Sequence, residues 1–402
     1  MKVLVATTSL PSSLNSSVAT AGIFVLHECV AYEQAGASVE IVAPDYSIGP
    51  REEIFGKNIK AHRFRYFFPR KWQILRRPDG SPLYQQKSIL AFGQLPFLLL
   101  GFLWAILKHG RKADIVHCNW SFTALAALPL RWIYKVPVVL TTRGSDLRLI
   151  PKFLNRFIFS NVDAVIDCFG PDYRNLFSSI PANYVELPVI TPQPDANTES
   201  IETLSQPGEF LLVMVGRFDL TKLRLYGMAF FTLLEAIAAL SRKHSVRGIY
   251  VGDGPLMPEI QEKCLALGCQ DRVQFVGYQQ NVYPFLQAAD LVFGGLGLNA
   301  VSQEASLMGK VQVMPKIENW YESIWFDRQN ALLYDPDDSD SVSRAVSFAL
   351  ENPDQLKQMA HNIATTANEY IRTVDDGGRD YLGLFDSIIK KRSTSNAVSP
   401  ER

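Results

Sequence analysis

The sequence has no excess of either charge, few cysteines and no long uninterrupted apolar run. Lys plus Arg and Asp plus Glu both number 40, so the formal net charge is zero. Nucleic-acid-binding proteins usually carry a basic excess, so this balance argues against a nucleic-acid partner. Hydrophobic residues make up 47% and charged residues 20% of the 402 residues. Such a composition suits about two globular domains and excludes a globally disordered chain.

Cysteines are too few and too scattered to support a disulfide framework or a structural metal site. None forms a C-x-x-C pair, and no histidine cluster lies beside them. Reduced cysteines favour a cytoplasmic location. The apolar part of the N-terminus is too short for a signal peptide and instead predicts a buried first strand over Val3–Ala6. The five are Cys29, Cys118, Cys168, Cys264 and Cys269.

Two segments have compositions that raise the question of contact with a membrane. Residues 89–107 are strongly apolar but are interrupted by Gln94, Pro96 and Gly101. A spanning helix needs about 20 apolar residues, so a buried or interface-bound helix is expected rather than a span. Residues 62–78 interleave arginine and lysine with aromatic side chains. That mixture suits an anionic membrane, a lipid-phosphate acceptor or single-stranded nucleic acid, and equally a solvated loop whose aromatics are buried.

Strand-like and helix-like segments alternate along most of the chain. This order predicts an α/β fold with parallel sheets covered by helices on both faces. The alternation stops over 191–208, where polar residues, Pro and Gly predict a linker, and residues 45–87 are expected to be irregular. The expected parts are a Rossmann-like domain over 1–190, a second over 209–371, a helix over 372–391 and a disordered tail over 392–402.

The most specific motif is the run from Tyr250 to Tyr278, which reads YVGDGPLMPEIQEKCLALGCQDRVQFVGY. Alone, its Gly-Asp-Gly-Pro turn would be an ordinary strand-to-helix connection. The whole run, together with MVGRFDLTK at 214–222, resembles the donor domain of family 4 glycosyltransferases. This resemblance implies the GT-B architecture: two Rossmann-like domains whose parallel sheets face each other across a cleft. It also implies an N-terminal acceptor domain, a C-terminal nucleotide-sugar domain and a final helix that packs back on the first domain.

The resemblance assigns the donor site to the second half of the chain. Arg217 and Lys222 would hold the diphosphate and stabilise the charge that develops on the leaving nucleotide. Glu304 would accept hydrogen bonds from the ribose hydroxyls. The family's first glutamate, which would contact hydroxyls of the donor sugar, lies eight residues earlier, and that position is Leu296 here. The full donor-binding set expected is Gly22, Arg217, Lys222, Gly252, Asn299, Ala300, Val301 and Glu304, with backbone N–H groups near 299–301 facing a phosphate.

The first half matches the family less tightly. His117 and Trp120 end a predicted strand, and Arg143 and Asp146 follow the next one. The resemblance directs all four towards the acceptor or the sugar, with His117 joining Arg217 and Lys222 as a catalytic candidate. A satisfied core histidine is the competing interpretation of His117. Arg143 replaces the family's usual histidine and suits an acidic sugar or a phosphate-bearing acceptor.

The acidic run at 335–341, DPDDSDS, invites a metal-site interpretation, but helix N-capping explains it better. The resemblance implies no metal and no cofactor, because basic groups and a helix end take the metal's place. The expected protein is a retaining, metal-independent hexosyltransferase that moves a sugar from a nucleotide-diphosphate sugar to a glycan or lipid-linked acceptor. Surface polysaccharide or glycoconjugate biosynthesis, in the cytoplasm and with peripheral contact to the anionic inner face of a membrane, is the expected setting.

Three other classes stay open at this point. A catalytically silent relative would bind the sugar nucleotide without turning it over. A nucleotide-sugar 2-epimerase shares the two-domain fold but would carry more acid–base groups than the sequence offers. A nicotinamide dehydrogenase is disfavoured, because no G-x-G-x-x-G follows the first strand.

Overall fold

The computed structural model describes residues 1–11, 22–45, 50–75, 89–142, 150–168, 181–194, 201, 204, 206–218, 229–294, 300–316 and 324–397. The chain forms two compact units. The first comprises Met1–Ile190 together with Arg372–Arg402, and the second comprises Thr191–Ile371. The second unit is therefore an insertion between the two parts of the first.

The first unit is built on an eight-stranded sheet of order β3-β4-β2-β1-β5-β6-β7-β8. All pairings are parallel except the antiparallel pair β3–β4. Its elements are β1 (Lys2–Ala6), α1 (Ile23–Gln34), β2 (Ser38–Pro44), β3 (Glu52–Phe55), β4 (Ile59–Phe64), α2 (Ile89–Gly110), β5 (Ile115–Asn119), α3 (Ser121–Ile133), β6 (Val138–Thr142), α4 (Lys152–Asn161), β7 (Ala164–Asp167), β8 (Tyr184–Glu186) and the C-terminal α11 (Val374–Ala397).

Alternate residues of β1 enter two separate cores, which explains why the strand is apolar from Val3 to Ala6. Val3 and Val5 pack in the core beneath α1 and α11, whereas Leu4 and Ala6 pack in the core beneath α2 and α3. Successive side chains of a strand point to opposite faces, so a strand covered on both faces must be continuously hydrophobic.

The second unit has a six-stranded parallel sheet of order β12-β11-β10-β13-β14-β15. It follows the same rule, because Leu212 and Met214 of β10 enter one core and Leu211 and Val213 the other. Its elements are β10 (Phe210–Val215), α5 (Ala229–Leu240), β11 (Val246–Val251), α6 (Met257–Ala266), β12 (Val273–Gly277), α7 (Tyr283–Ala288), β13 (Leu291–Phe293), α8 (Ala300–Leu307), β14 (Gln312–Pro315), β15 (Leu332–Tyr334), α9 (Ser341–Glu351) and α10 (Pro353–Tyr370). The short strands β9 (Ile190–Thr191) and β16 (Arg372–Thr373) pair with each other.

Two expectations about chain segments are wrong. Residues 45–87 are not irregular throughout, since β3 and β4 extend the first sheet. The last helix does not end at 391: it continues to Ala397. Arg392 stabilises this extension, because its guanidinium donates to Asp163 Oδ1 at 2.7 Å and to the Lys135 carbonyl at 2.8 Å.

The acidic run before α9 does not cap the helix in the expected way. Asp340 is the N-cap residue, but its side chain makes no capping hydrogen bond. Asp338 instead accepts from the Asp340 backbone N–H at 3.0 Å and pairs with Arg344. The Ser341 hydroxyl accepts from the Asp335 N–H at 2.8 Å. The Asp338 carboxylate thus stabilises the turn before α9, and its ion pair with Arg344 links that turn to the helix.

Candidate functional site

The strand order of the second unit fixes where a ligand can bind. From β10 the chain proceeds outwards through β11 to β12 and then returns to β13 on the other side of β10. Loops leaving β10 and β13 at their carboxyl ends therefore diverge, and open α/β sheets bind ligands at such a switch point. The loop after β10 carries Arg217, that after β11 carries Gly252, and that after β13 leads into α8 and Glu304.

Two of these loops are fastened together by backbone hydrogen bonds. The Phe218 N–H donates to the Asp253 carbonyl at 3.1 Å, and the Leu256 N–H donates to the Phe218 carbonyl at 3.1 Å. Gly252 has φ +131°, and a Cβ there would lie 1.9 Å from the Gly216 carbonyl oxygen. Only glycine tolerates both the conformation and the approach. The Gly-Asp-Gly-Pro turn thus sets the position of the Arg217 loop.

Arg217 lies two residues beyond the end of β10 with an exposed side chain. Its neighbour Phe218 is fully buried against Phe230 and Tyr250, with ring centroids 5.1 and 5.9 Å away. Burial of the Phe218 ring fixes the backbone here, so the exposed guanidinium of Arg217 is held at the carboxyl edge of the sheet. Lys222, its proposed companion, lies outside the described residues.

Glu304 lies on α8 and is only 9% exposed. Burial raises the pKa of its carboxyl group to about 8, although a hydrogen bond from Tyr283 opposes the rise. The same burial, together with the nearby Glu304 charge, raises the pKa of the Tyr283 hydroxyl. A carboxyl group held in this way can bind hydroxyl groups more strongly than an exposed one, because little water competes for it. The role of Tyr283 as a partner of Glu304 was not predicted, because no sequence motif marks a tyrosine at the start of this short helix.

Of the remaining donor-site residues, Ala300 and Val301 form the start of α8. Ala300 is exposed and Val301 is half-buried, so the first turn of this helix borders solvent. Asn299 and Leu296 lie outside the described residues. The expected phosphate contact of this turn therefore stays a prediction.

The first unit has its own switch point, between β1 and β5. Gly22 follows β1 and precedes α1 with φ +91°, and a Cβ there would lie 2.3 Å from the Ser9 carbonyl oxygen. Trp120 follows β5 with φ 73° and ψ 144°, a conformation that is costly for a residue with a side chain. Its indole packs edge-on against Phe24 at 5.9 Å. Backbone strain of this kind concentrates at functional sites.

His117 lies inside the first unit rather than on its surface. The ring is fully buried, with Nδ1 3.2 Å from the Tyr32 hydroxyl and Nε2 2.7 Å from Thr141 Oγ1. Tyr381 and Phe385 of α11 pack around it. These surroundings favour the structural interpretation over a catalytic one. Arg143 and Asp146 lie outside the described residues.

A cavity of about 1220 Å³ lies elsewhere in the first unit, beside the start of β7 and the end of α11. Its central acid, Asp163, is bound by Arg131 at 2.9 Å and Arg392 at 2.7 Å. These pairs serve to attach α3 and α11 to the sheet. The cavity lies at the amino ends of β7 and β8, whereas the switch point of the first unit lies at the carboxyl ends of its strands, so the cavity is not a candidate for the donor site.

Two segments of the chain match known protein families. Residues 209–352 match the family described as "Glycosyl transferases group 1", and residues 20–168 match the "Glycosyl transferase 4-like domain". The first of these segments includes all six strands of the second sheet, and the other includes β2 to β7 of the first sheet.

Curated relatives agree with the family matches. The chain is 28% identical over 181 residues to a lipopolysaccharide core biosynthesis glycosyltransferase of Rhizobium meliloti, covering 41% of this chain and 50% of that protein. It is 22% identical over 295 residues to a diphospho-undecaprenol N-acetylgalactosaminyltransferase of Campylobacter jejuni, covering 70% and 78%. The chain spans half or less of the length of the first relatives that it matches.

Solved structures establish the fold. Sucrose-phosphate synthase from Thermosynechococcus elongatus matches with a TM-score of 0.71 at 16% identity, over 99% of this chain and 100% of that one. Anabaena HepE in complex with UDP and glucose matches with a TM-score of 0.63 at 15% identity, over the same shares. The architecture is GT-B, and the chain belongs to the group 1, family 4 glycosyltransferases.

Proposed function

We propose that the protein transfers a sugar from a nucleotide-diphosphate sugar to a glycan or lipid-linked acceptor in surface polysaccharide or glycoconjugate biosynthesis. The observation that carries this proposal is the loop arrangement of the second unit. An exposed arginine at the end of β10 and a buried carboxyl group on α8 flank one switch point. A diphosphate requires a cation such as Arg217, and a ribose diol requires a hydrogen-bond acceptor such as Glu304.

In this mechanism the cations act on the leaving group. Arg217, with Lys222, binds the diphosphate and stabilises the negative charge that develops as the bond to the sugar breaks. Glu304 holds the ribose, and the first turn of α8 faces a phosphate with its N–H groups. Transfer of a hexose with retention of configuration and without a metal is carried over from the family resemblance.

A catalytically silent relative is the second candidate. Leu296 occupies the position of a glutamate that the family directs to the donor sugar, so binding without turnover is consistent with the sequence. An epimerase is less well supported, because both ring nitrogens of His117 are already engaged by Tyr32 and Thr141.

A panel of nucleotide-sugars separates these candidates. We expect one donor to raise the melting temperature and to release its nucleotide when an extract of bacterial glycans or lipid-linked saccharides is added. Failure of every donor to bind would reject the proposal, whereas binding without nucleotide release across the acceptors would favour the silent relative. Arg217→Ala should weaken donor binding, while Arg242→Ala, an exposed arginine just after α5, should not.

We further propose peripheral contact with a membrane through α2, at the cytoplasmic face. The helix is long and apolar enough to span a membrane, and a third of its most apolar window is buried. Its sheet-facing side packs Leu98 and Phe102 into the core. The opposite side exposes large apolar residues at helical spacing, and Lys108 lies 4.9 Å from the Trp104 ring. The exposed residues are Leu90, Phe92, Phe97, Leu100 and Trp104.

Residues 62–78, the basic–aromatic segment next to α2, present less positive charge at the surface than their sequence suggests. Arg63 is buried and bound to Glu53 at 3.1 Å, and Arg70 is bound to the buried Asp45 at 2.8 Å. Exposed Phe68 and Trp72 instead extend the apolar surface. The contact we propose is therefore chiefly hydrophobic.

Flotation with liposomes tests this contact. Wild-type protein should float with vesicles of phosphatidylethanolamine and phosphatidylglycerol, and only slightly less with zwitterionic vesicles alone. Leu100→Glu should reduce partitioning about tenfold or more, because one buried leucine contributes roughly 1.5–3 kcal/mol. Leu265→Glu, an exposed leucine of α6, is the matched control. Equal flotation of the two variants, or none for the wild type, would reject the contact.

A further inference from the structure

Three metal-ligating side chains converge on the face of the first sheet that α2 covers. Glu40 on β2 and His62 on β4 point to this face, because Leu4, which pairs in register with Glu40, enters the core beneath α2. His109 lies near the end of α2, seven residues beyond Phe102 in the stripe that packs on the sheet. Residues seven apart share a helix face. Three different elements thus bring one ligand each to a single point.

The distances between the ligand atoms suit a bound metal ion. Glu40 Oε2 lies 3.1 Å from His62 Nε2 and 3.5 Å from His109 Nδ1, and all three ligand atoms lie within 4.8 Å of one another. Around tetrahedral Zn²⁺, with bonds of about 2.0–2.1 Å, neighbouring ligand atoms are roughly 3.3–3.5 Å apart. The imidazole rings stack at 4.0 Å with an interplanar angle of 24°. Little movement is therefore needed to accommodate an ion.

The second nitrogen of His62 also has a suitable neighbour. His62 Nδ1 lies 3.9 Å from Glu52 Oε1 on the adjacent strand β3. Histidines that bind metals commonly direct their other ring nitrogen towards a carboxylate, which orients the ring. The two histidine side chains are only 20% and 16% exposed, so water competes weakly for them.

The surroundings identify the kind of ion. Lys2, Lys108 and Lys112 line the adjacent cavity of about 250 Å³, together with Glu40 and His109. The cluster itself offers only one carboxylate, too few for Mg²⁺ or Ca²⁺, which are held by several oxygen ligands. Two imidazoles and one carboxylate instead match the preference of a borderline divalent transition metal.

We propose that Glu40, His62 and His109 bind one divalent transition-metal ion, with Zn²⁺ as the best fit. The cluster lies near the amino-terminal half of β2, whereas the donor and acceptor candidates lie at the carboxyl ends of strands. The ion would therefore fasten β2, β4 and α2 together and would take no part in sugar transfer.

Calorimetric titration of the chelator-treated full-length protein with Zn²⁺ tests this site. We expect one equivalent to bind, and Glu40→Gln, His62→Gln and His109→Gln each to weaken binding by more than the roughly 10–100-fold that loss of an outer-shell partner causes. His361→Gln, an exposed histidine of α10, is the matched control and should bind as the wild type does. Absence of binding to the wild type would overturn the proposal, as would binding that survives all three substitutions.

A second measurement needs no variant. Carbethoxylation with diethyl pyrocarbonate, followed by peptide mass spectrometry, should modify His62 and His109 in the metal-free protein. Zn²⁺ should slow the modification of these two at least tenfold and leave that of His361 unchanged. Equal modification with and without Zn²⁺ would overturn the proposal even if every cluster variant failed to fold.

Discussion

Donor affinity is expected to rise steeply with pH, because Glu304 must ionise to accept hydrogen bonds from both hydroxyls of a ribose. In the free protein burial raises the pKa of this carboxyl group to about 8. Binding of a diol would favour the ionised form and lower that pKa. Ligand binding is then coupled to the release of one proton.

The magnitude follows from the ionised fraction of the free protein. With a pKa near 8, about 1% of Glu304 is ionised at pH 6 and about half at pH 8. If only the ionised form binds, affinity rises about 50-fold over this interval, or about 2.3 kcal/mol. The diphosphate of a nucleotide-sugar is a diester and keeps its charge over the same range, so the ligand contributes no titration of its own.

Calorimetric titration at several pH values, with the donor that gives the largest thermal shift, measures how the donor affinity changes with pH. Glu304→Gln cannot ionise, and its affinity should vary less than threefold over the interval. A wild-type affinity that is independent of pH, or a slope that persists in Glu304→Gln, would refute the assignment of Glu304 to the ribose.

The remaining predictions concern stability and the second donor contact. Without ligand, wild-type stability should fall relative to Glu304→Gln by up to about 1.4 kcal/mol per pH unit between roughly pH 5 and 8. The sign follows because the folded pKa lies above the unfolded one, so the stability of the neutral form is lost as pH rises; equal urea-unfolding curves at each pH would contradict it. Gly252→Ala should lower the free energy of unfolding by more than about 2 kcal/mol. Gly268→Ala, at φ +66° with no atom within 4 Å of an added Cβ, should lower it by only about 1–2 kcal/mol. Equal losses would show that the close contact between Gly252 and the Gly216 carbonyl is unimportant. Arg217→Ala should weaken donor binding about 10–100-fold, as expected for a hydrogen bond to a charged group, without lowering the melting temperature.

The sequence predicts the parallel sheets well because their strands are apolar on both sides. The strand expected over Val3–Ala6 occupies Lys2–Ala6. Strand β4 was missed, since it lies near the edge of the sheet and alternates apolar and charged residues. His62 and Arg63 consequently looked like parts of a basic loop.

Side-chain environments were harder to predict than elements. His117 occupies the position at a strand end where a site residue is expected, yet the burial of that end depends on Tyr381 and Phe385, more than 260 residues away. The cluster of Glu40, His62 and His109 has no sequence spacing that marks it. It exists only because α2 ends over the strands β2 and β4.

The insertion of one unit into the other has a consequence for biosynthesis. Tyr32, near the start of the chain, packs against Tyr381 and Phe385 at 5.7 and 5.6 Å, and Gly378 passes so close that a Cβ would lie 2.2 Å from the Ala31 carbonyl. On a ribosome, the unit that begins first must wait for the last helix before its core can close. The continuous stretch 191–371 leaves the exit tunnel earlier and can fold in the interval. We therefore expect the second unit to mature before the first, although its sequence begins later.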